Sequence, residues 1–427
     1  MNKLTILIAL LCSLPFFGTS QQHKCASHSN WEALKSTDSN AQLRMESLEK
    51  RTQEWIAKNV DIKTNGSAVV IPVVVHVIYH ESVENISESQ IQSQINVLNA
   101  DFNLLNADSL LPDNPFWYDS ADCQIEFCLA QQDPDGLPSS GITRTYTETL
   151  AFDGNGDEKY TAYGGRDNWD PESYMNLWVC NLTGSGGTLG YATFPSELED
   201  NPYEDGVVIH YEAFGTTGTA GNGDFLVNDL GRTGSHEVGH WLNLRHIWGD
   251  EPCGNDFCAD TPEHESENYG CPTFPHLTYN DCLPGTSENG EMYMNYMDYV
   301  NDACMNMFSF DQSARMDAAI FEGRSGLLTS SGCEIPVVGV NEHAGKNELF
   351  SIYPNPSSSH FYLDLGNTES SAVELTLYDS SGKIIQNLVK EFREITGVID
   401  IEIEESGVYY INLITEDNTE TKRIIKL

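Results

Sequence analysis

The segment from Gly234 to His246 places the strongest constraint on how this chain can fold. His236 and His240 are four residues apart, so a helix puts both imidazoles on one face, where they can reach one metal ion. Glu237 follows the first histidine, where its carboxylate can take a proton from an attacking water. His246 comes six residues after His240, so the helix must end and the chain must turn back. This pattern predicts a zinc site of three histidines with Glu237 as general base.

The turn before His246 needs a residue that tolerates a positive φ angle. Many proteins with this arrangement have glycine there, whereas this chain has Asn243, the non-glycine residue that best tolerates that conformation. The alternative is a buried helix whose histidines are only hydrogen-bonded. The third histidine and the turn residue favour the metal site over that alternative.

The N-terminal residues have the pattern of a secretory signal. Lys3 precedes an apolar stretch from Leu4 to Phe17, and the small residues Gly18 and Ser20 follow. That stretch is too short for a membrane anchor, which needs about 20 apolar residues, and no other stretch approaches that length. We therefore expect a signal peptide at 1–20 and no transmembrane segment. The polar residues 21–65 are interpreted as a propeptide.

Charge and cysteine content narrow the function further. The chain has 64 acidic and 22 basic residues, a formal net charge of -42, which argues against a nucleic-acid partner. The acidity is typical of a highly soluble protein or of one that binds calcium, and charge alone does not separate these. Of 11 cysteines, Cys12 lies in the signal peptide. The others favour disulfides in an exported chain, but their spacing does not define the pairs.

The hydrophobic pattern predicts an α+β domain with a mixed sheet at 66–335, a linker at 336–346 and a small all-β sandwich at 347–427. The stretch 248–292 lacks periodicity, so disulfides or ions would have to hold it. The predicted elements of the first domain are strands at 69–79, 124–130, 176–182 and 206–211, a helix opened by Ser87, the motif helix, and a helix at 312–321.

The extended zinc motif resembles that of the metzincin metallopeptidases, and the surrounding sequence resembles the ulilysin-like bacterial branch of the pappalysin family. The resemblance covers residues from about 69 to 310. Besides the zinc motif, it is carried by Ile71-Pro-Val-Val-Val-His-Val, Asp133-Pro-Asp-Gly, Gly141-Ile-Thr-Arg, Leu189-Gly-Tyr-Ala, Ala259-Asp-Thr-Pro and Asn295-Tyr-Met-Asp-Tyr299. It implies a two-lobed zinc-peptidase domain with the motif helix at the cleft floor. It also implies a Met-turn, with Met297 beneath the zinc and Tyr299 approaching the metal from below.

Further expectations come from the same resemblance. It implies the disulfides Cys253–Cys282 and Cys271–Cys304 and leaves Cys123, Cys128, Cys180, Cys258 and Cys333 unassigned. It implies calcium near the Asp-Thr-Pro segment, with Asp256 and Thr261 as candidate ligands, although an ordinary loop is an equal alternative. Cys25 would silence a precursor if its thiolate displaced the catalytic water; a spare propeptide thiol is the alternative.

The C-terminal segment resembles the sorting domain of type IX secretion substrates. The resemblance is carried by Phe350-Ser-Ile-Tyr-Pro-Asn-Pro-Ser, Gly382-Lys, Gly407-Val-Tyr-Tyr and Lys422-Arg-Ile-Ile-Lys-Leu. It implies that the chain is secreted, or carried at the outer surface, by a Bacteroidetes-type bacterium, with the type IX machinery as a partner. A carbohydrate- or protein-binding sandwich is the alternative.

Together these patterns predict a secreted zinc endopeptidase that hydrolyses proteins or peptides, with catalytic residues Glu237 and Tyr299. The alternatives are an inactive surface adhesion or binding protein on the same scaffold, and a zinc amidase or deacetylase.

Asp302 follows the Met-turn segment. In a metzincin, the chain after the Met-turn forms the pocket for the substrate residue that follows the scissile bond. The carboxylate of Asp302 therefore predicts a preference for Arg at that position, with Lys second. Alternatively, Asp302 caps a helix around Met307 or faces solvent.

Overall fold

The chain divides into two units, residues 1–336 and 337–427. The structure is a computed structural model, and the predicted signal peptide and all but Pro336 of the predicted linker lie outside the residues that it describes. Those residues are 24–59, 68–185, 187–277, 282, 289–336, 350–358, 360–364, 373–380, 382–390, 398–403, 405–414 and 419–427.

The first unit is built around a mixed seven-stranded sheet, which confirms the predicted fold class. Its elements are β1 (Lys24–Cys25), α1 (Ser27–Thr37), α2 (Ala41–Lys58), β2 (Val69–Tyr79), α3 (Glu88–Asp101), β3 (Ile125–Leu129), β4 (Ile142–Tyr146), β5 (Met175–Cys180), β6 (Thr188–Ala192), β7 (Val207–His210), α4 (Arg232–Trp241) and α5 (Phe310–Gly323).

Strand β2 is the centre of this sheet. Eight of its 11 residues are buried, as its β-branched composition predicts for a strand covered on both faces. One edge of β2 pairs in parallel with β3 and then β4, and the other edge pairs in parallel with β5. The order continues through β7 and β6 to β1. Among the described strands of this sheet, only the β6–β7 pair is antiparallel, and the two-residue β1 pairs in parallel with β6 at the edge.

Helix α3 anchors the helical layer on the sheet. Its N-cap is Ser87, whose hydroxyl accepts the backbone N–H of Gln90, as the sequence predicts. Ile91, Ile95 and Leu98 recur at helical spacing and are fully or almost fully buried in the main hydrophobic core. The same core contains residues of β2, β5 and β7, so α3 is fixed by burial rather than by its own propensity.

Helix α4 carries the zinc motif, and all ten of its residues are buried. It begins after Gly231, whose φ of 74° is left-handed, and its last residue is Trp241. Gly239 allows Met297 to pack closely against the helix, because a Cβ there would lie 2.6 Å from Met297 Sδ. The chain then turns at Asn243 with φ 70°, as the residue type predicts.

The described residues between Leu242 and Asn301 contain no helix or strand. Disulfides Cys253–Cys282 and Cys271–Cys304 cross-link this region, the two pairs expected from the resemblance. A third disulfide joins Cys128 to Cys333, a pair that the sequence did not define. Cys123, Cys180 and Cys258 are buried thiols.

The described residues of the second unit form a β-sandwich. A four-stranded antiparallel sheet has the order β11-β10-β13-β14, and a three-stranded antiparallel sheet has the order β12-β9-β8. Both sheets contribute to one hydrophobic core that includes Phe361, Leu377 and Ile411. Its strands are β8 (Ser351–Tyr353), β9 (His360–Asp364), β10 (Val373–Asp379), β11 (Ile384–Lys390), β12 (Val398–Glu402), β13 (Gly407–Ile414) and β14 (Thr419–Lys426). Within the described part of the chain, no helix has the length and apolar character needed to cross a membrane.

Candidate active site

The three motif histidines converge at the C-terminal half of α4 and the turn that follows it. Their Nε2 atoms lie close together: that of His240 is 3.2 Å from that of His236 and 3.1 Å from that of His246. Each Nδ1 faces an oxygen acceptor, which is Tyr296 O for His236, Leu244 O for His240 and an Asp250 carboxylate oxygen for His246. Each Nδ1 therefore carries the proton in the neutral ring.

These tautomers leave three Nε2 lone pairs directed at one another with no hydrogen between them. Such an arrangement fits a cation that accepts all three lone pairs, and neutral imidazole is the form that zinc binds. Burial, followed by the charge of His246, lowers the pKa of His236 to about 3. The same causes lower the pKa of His240 well below its usual value. Both rings are therefore neutral near pH 7.

Cys25 completes the cluster from the N-terminal segment. Its Sγ and the ring nitrogens of His236, His240 and His246 all lie within 4.8 Å of one another, an arrangement that could hold a metal ion. The segment is held there by backbone pairing, since β1 pairs with β6 and the Ala26 N–H donates to Gly190 O at 2.9 Å. The thiol predicted as a latency switch thus lies at the histidine cluster.

Glu237 is fully buried beside the same cluster. Its Oε2 accepts hydrogen bonds from Ser27 Oγ at 2.9 Å and from Cys25 Sγ at 3.4 Å, and its Oε1 has no partner. Burial raises the pKa of Glu237 to about 8, although the contacts from Cys25 and Ser27 oppose this. Burial therefore favours the neutral form of this carboxyl while the N-terminal segment packs against it.

Met297 packs against the motif helix, and Tyr299 lies beside His236 and His246. Met297 is fully buried, and its Sδ packs against α4 at Gly239, the apolar contact expected of a Met-turn. The Tyr299 ring is 4.9 Å from the His246 ring, and its hydroxyl donates to the backbone carbonyl of Cys25 at 3.4 Å. Burial, followed by the charges of Cys25 and Glu237, raises the pKa of Tyr299 well above its usual value, so the phenol remains a donor.

A cavity of about 340 Å³ adjoins the cluster. Glu237, Tyr299 and Asp302 all line it, together with Asn228 and Thr233. Asp302 is 1% exposed, and burial raises its pKa to about 6, although hydrogen bonds from backbone amides oppose this.

Both alternatives for Asp302 are wrong, because it neither faces solvent nor caps a helix around Met307. Its Oδ2 instead accepts the N–H groups of Leu230 and Arg232 at 2.9 and 3.2 Å, so it caps the motif helix α4. Its Oδ1 has only a long contact of 3.5 Å with Asn228 Nδ2. Oδ2 of Asp302 is thus occupied by backbone hydrogen bonds, and Oδ1 lies beside the cavity.

The calcium candidates lie together in the irregular region. Thr261 Oγ1 donates to Asp256 Oδ2 at 2.8 Å, and the backbone N–H of Cys258 donates to Asp256 Oδ1 at 3.1 Å. Burial raises the pKa of Asp256 to about 6. Both carboxylate oxygens already have donors within the protein.

Two contact residues were missed from the sequence. Asp250 accepts the Nδ1 proton of His246, so one of the three histidines is oriented by a carboxylate rather than by a backbone carbonyl. Ser27 joins Glu237 to β6, because its Oγ also accepts the N–H of Ala192 at 2.8 Å. Asp250 is four residues beyond His246, at a positive φ of 65°, and no pattern marks it. Ser27 lies two residues after Cys25. Its proximity to this predicted latency residue was the only feature of the sequence that could have indicated its role.

Comparison with known proteins agrees with this geometry. Residues 160–321 match the family described as pregnancy-associated plasma protein-A, and residues 351–427 match the secretion system C-terminal sorting domain. A solved structure of a mutant promirolysin from Tannerella forsythia is 41% identical, with a TM-score of 0.63, and the match covers 72% of this chain and 97% of that one. Mature mirolysin of the same organism, in complex with a cleaved peptide, is 45% identical with a TM-score of 0.56, covering 64% and 97%.

Curated relatives are extracellular metalloproteases. That of Sordaria macrospora is 36% identical over 146 residues, which is 33% of this chain and 46% of the relative. The chain spans about half the length of the curated relatives that it matches first.

The fold and the three converging histidines define a metallopeptidase. The chain belongs to the pappalysin family of metallopeptidases, as the motifs predicted, and it carries a type IX sorting domain. The sorting domain and the extracellular relatives confirm the expected secreted or cell-surface location.

Proposed function

We propose that the protein is a secreted zinc endopeptidase made as a latent precursor. The observation that carries the proposal is the convergence of three unprotonated Nε2 atoms, 3.1 and 3.2 Å apart, next to a buried carboxyl. Zinc is the favoured ion because three histidines with a fourth position open to exchange are typical of catalytic zinc sites. Cys25 lies beside that fourth position, and in the active form a substrate would replace it.

The proposed mechanism assigns distinct roles to the residues around the histidines. A zinc ion bound there would polarise the scissile carbonyl and acidify the attacking water. Glu237 takes a proton from that water and delivers it to the nitrogen of the leaving amine. Tyr299 donates a hydrogen bond to the developing oxyanion, a role supported by its contact with the Cys25 carbonyl oxygen.

The test is hydrolysis of casein by the activated protein, with and without a zinc chelator, beside Glu237→Gln. We expect activity that is lost with chelator, regained with zinc and absent in the variant. Hydrolysis that persists in the chelator or in Glu237→Gln would contradict the mechanism. Activity on acetylated or small amide substrates without casein cleavage would favour the amidase alternative. A folded, zinc-loaded protein without any hydrolysis would favour the adhesion alternative.

We also propose that the enzyme cuts before Arg, with Lys second. Asp302 lines the cavity beside Glu237, and its Oδ1 is free of strong protein hydrogen bonds. A planar guanidinium can bind such an oxygen together with neighbouring acceptors, and Asn228 and Thr233 line the same cavity. Thr233 Oγ1 is buried without a partner, which supports a polar ligand there. Digestion of a mixed peptide library should yield new N-termini enriched in Arg. A profile dominated by Leu or Phe would contradict the proposal.

Latency is proposed to depend on Cys25. Its thiol, the Ser27 hydroxyl and the pairing of β1 with β6 fill the space that a substrate would need. The structural match to promirolysin covers 72% of the chain, against 64% for mature mirolysin, which supports a precursor segment in this chain. Cys25→Ser should raise the basal activity of the intact chain, whereas Ser36→Ala on the exposed side of α1 should not. Equal basal activity in both variants would contradict this role.

Export is proposed to need the C-terminal unit. Deleting residues 347–427 should leave the purified catalytic unit active after activation but abolish delivery to the surface in the native host. Normal delivery of the truncated chain would contradict the proposed contact with the type IX machinery.

Calcium binding at Asp256 and Thr261 is proposed from the family resemblance. The hydrogen bond from the Thr261 hydroxyl to Asp256 Oδ2 supports a shared role. A calcium ion bound to that carboxylate oxygen would have to displace the Thr261 hydroxyl proton from it. A ligand that binds only the folded state raises stability, so a calcium-selective chelator should lower the melting temperature. An unchanged melting temperature would remove the proposal.

A further inference from the structure

A second cavity, of about 270 Å³, lies at the opposite end of β6 from the cavity that Asp302 lines. Leu189, the second residue of β6, lines the Asp302 cavity, whereas Phe194, two residues beyond the strand, lines the second one. Between them, Gly190 lies against the proposed general base, because a Cβ there would be 3.0 Å from Glu237 Cγ. The chain at β6 therefore leads from the Asp302 cavity, past Glu237, to Phe194.

The ring of Phe194 joins the second cavity to the histidine cluster. Its centroid is 5.6 Å from that of the His240 ring, at an interplanar angle of 69°. Beyond the N-terminal segment, the described residues that line the cavity are Phe194, Arg245, Gly249, Asp250 and Glu251. Phe194 is the only aromatic residue in that set. Arg245 already stacks on another ring at 4.7 Å, and Asp250 already accepts the His246 proton. This part of the chain therefore offers a ligand an aromatic surface beside a proposed zinc ligand.

The N-terminal segment fills this cavity with a tryptophan. Trp31 of α1 packs edge-to-face on Phe194, with ring centroids 6.3 Å apart at 74°. With Trp31 in place, Phe194 is only 7% exposed. Trp31 follows Cys25 by six residues, so the segment runs from the histidine cluster towards Phe194, in the direction of β6. Removal of the segment would leave the face of the Phe194 ring without this partner.

An extended substrate would approach the same ring from the opposite direction. The outer edge of β6 is covered by β1, and it becomes free to pair with a peptide once the N-terminal segment leaves. A substrate whose Arg enters the Asp302 cavity, beside Leu189, has its earlier residues towards Phe194, so it runs antiparallel to β6. At about 3.3 Å per residue, the four residues from Gly190 to Phe194 span about 13 Å. The side chain that reaches Phe194 is therefore two to four residues before the scissile bond.

We propose that Phe194 forms a second specificity subsite, which binds an aromatic side chain of the substrate two to four residues before the scissile bond. The inference rests on the proposed endopeptidase function and adds a second side-chain preference to it. An aromatic side chain is favoured over an aliphatic one, because an edge-to-face contact contributes beyond the apolar area that it buries. In the precursor, Trp31 occupies this subsite, so the N-terminal segment covers a recognition element as well as the histidine cluster.

The test compares kcat/KM of the activated protein for peptides that carry Arg after the scissile bond. The peptides differ only in Phe or Leu at one of the positions two, three and four residues before that bond. Phe should be preferred about 2- to 10-fold at one of these positions. Phe194→Leu should remove that preference. Tyr203→Leu, which removes an exposed ring that lines neither cavity, should keep it.

Equal kcat/KM for Phe and Leu at all three positions, or a preference that survives in Phe194→Leu, would overturn the proposal. Hydrolysis of both peptides without a preference leaves the endopeptidase function intact, whereas hydrolysis of neither contradicts that function.

If Phe194→Leu does not fold, or if no peptide is hydrolysed, the subsite is tested in the intact chain without any reaction. Trp31→Ala empties the subsite while the rest of the N-terminal segment stays in place. Indole should then raise the melting temperature of Trp31→Ala but not that of the unmodified chain, because only the variant has the subsite free. The same response to indole in both proteins would overturn the proposal.

Discussion

Asp302→Asn tests the proposed substrate preference without removing the cap of the motif helix. Asp302 Oδ2 accepts the N–H groups of Leu230 and Arg232 at 2.9 and 3.2 Å, and an asparagine keeps one oxygen for them while losing the charge. Hydrogen bonds to charged groups contribute about 1.5–3 kcal/mol. The preference for Arg over Leu after the scissile bond should therefore fall about 10- to 150-fold.

The assay compares kcat/KM for two peptides that differ only in Arg or Leu at that position, using the activated protein at pH 8. Burial raises the pKa of Asp302 to about 6, so its carboxyl is ionised at pH 8 and loses its charge below pH 6. The unmodified protein should lose its Arg preference below pH 6, and Asp302→Asn should show no such change. Asp229→Asn, at an exposed position outside the cavity, is the control. An unchanged ratio in Asp302→Asn, or an equal fall in Asp229→Asn, would refute the assignment.

Three further predictions concern other parts of the first unit. Glu237→Gln should keep its zinc but lose at least about 10²- to 10⁴-fold in kcat, because only the proton acceptor is removed; zinc content and turnover are measured together. Asp250→Ala should weaken zinc binding about 10- to 100-fold in chelator competition, because the ring of His246 loses its orienting carboxylate. Burial lowers the pKa of His76 to about 4, so below pH 6.5 the unfolded chain takes up a proton that the folded chain does not. The free energy of unfolding should therefore fall by up to about 3 kcal/mol as the pH is lowered from 6.5 to 4. Urea unfolding of His76→Gln over the same pH range should lack this decrease.

Each of these predictions has a result that would contradict it. Loss of zinc in Glu237→Gln would make that residue structural. Unchanged chelator resistance in Asp250→Ala would mean that the carboxylate does not orient the ligand. Identical pH slopes for His76→Gln and the unmodified protein would assign the acid sensitivity to other groups.

The long elements of the first unit were predictable because their signals are local. The β-branched run of β2 and the capped, periodic α3 carry their structure in consecutive residues. Strands β4 and β6 were not predicted as strands. Their extended form depends on pairing with β2 and β7, which a sequence window does not contain.

The same distinction applies to the site. The period of one helix determines the relative positions of His236, Glu237 and His240. The turn at Asn243 was predictable because few residue types tolerate its backbone conformation. The cap that Asp302 provides joins residues about 70 positions apart, and only the folded chain brings them together.

The Cys128–Cys333 disulfide changes what a backbone cut would do to the catalytic unit. It joins residues 205 positions apart, so β2's neighbour β3 is covalently tied to the end of the first unit. Any single nick between those two cysteines leaves both pieces attached, and they would separate on a gel only after reduction. A protein that encounters peptidases outside the cell can therefore be clipped within this loop and still travel as one molecule.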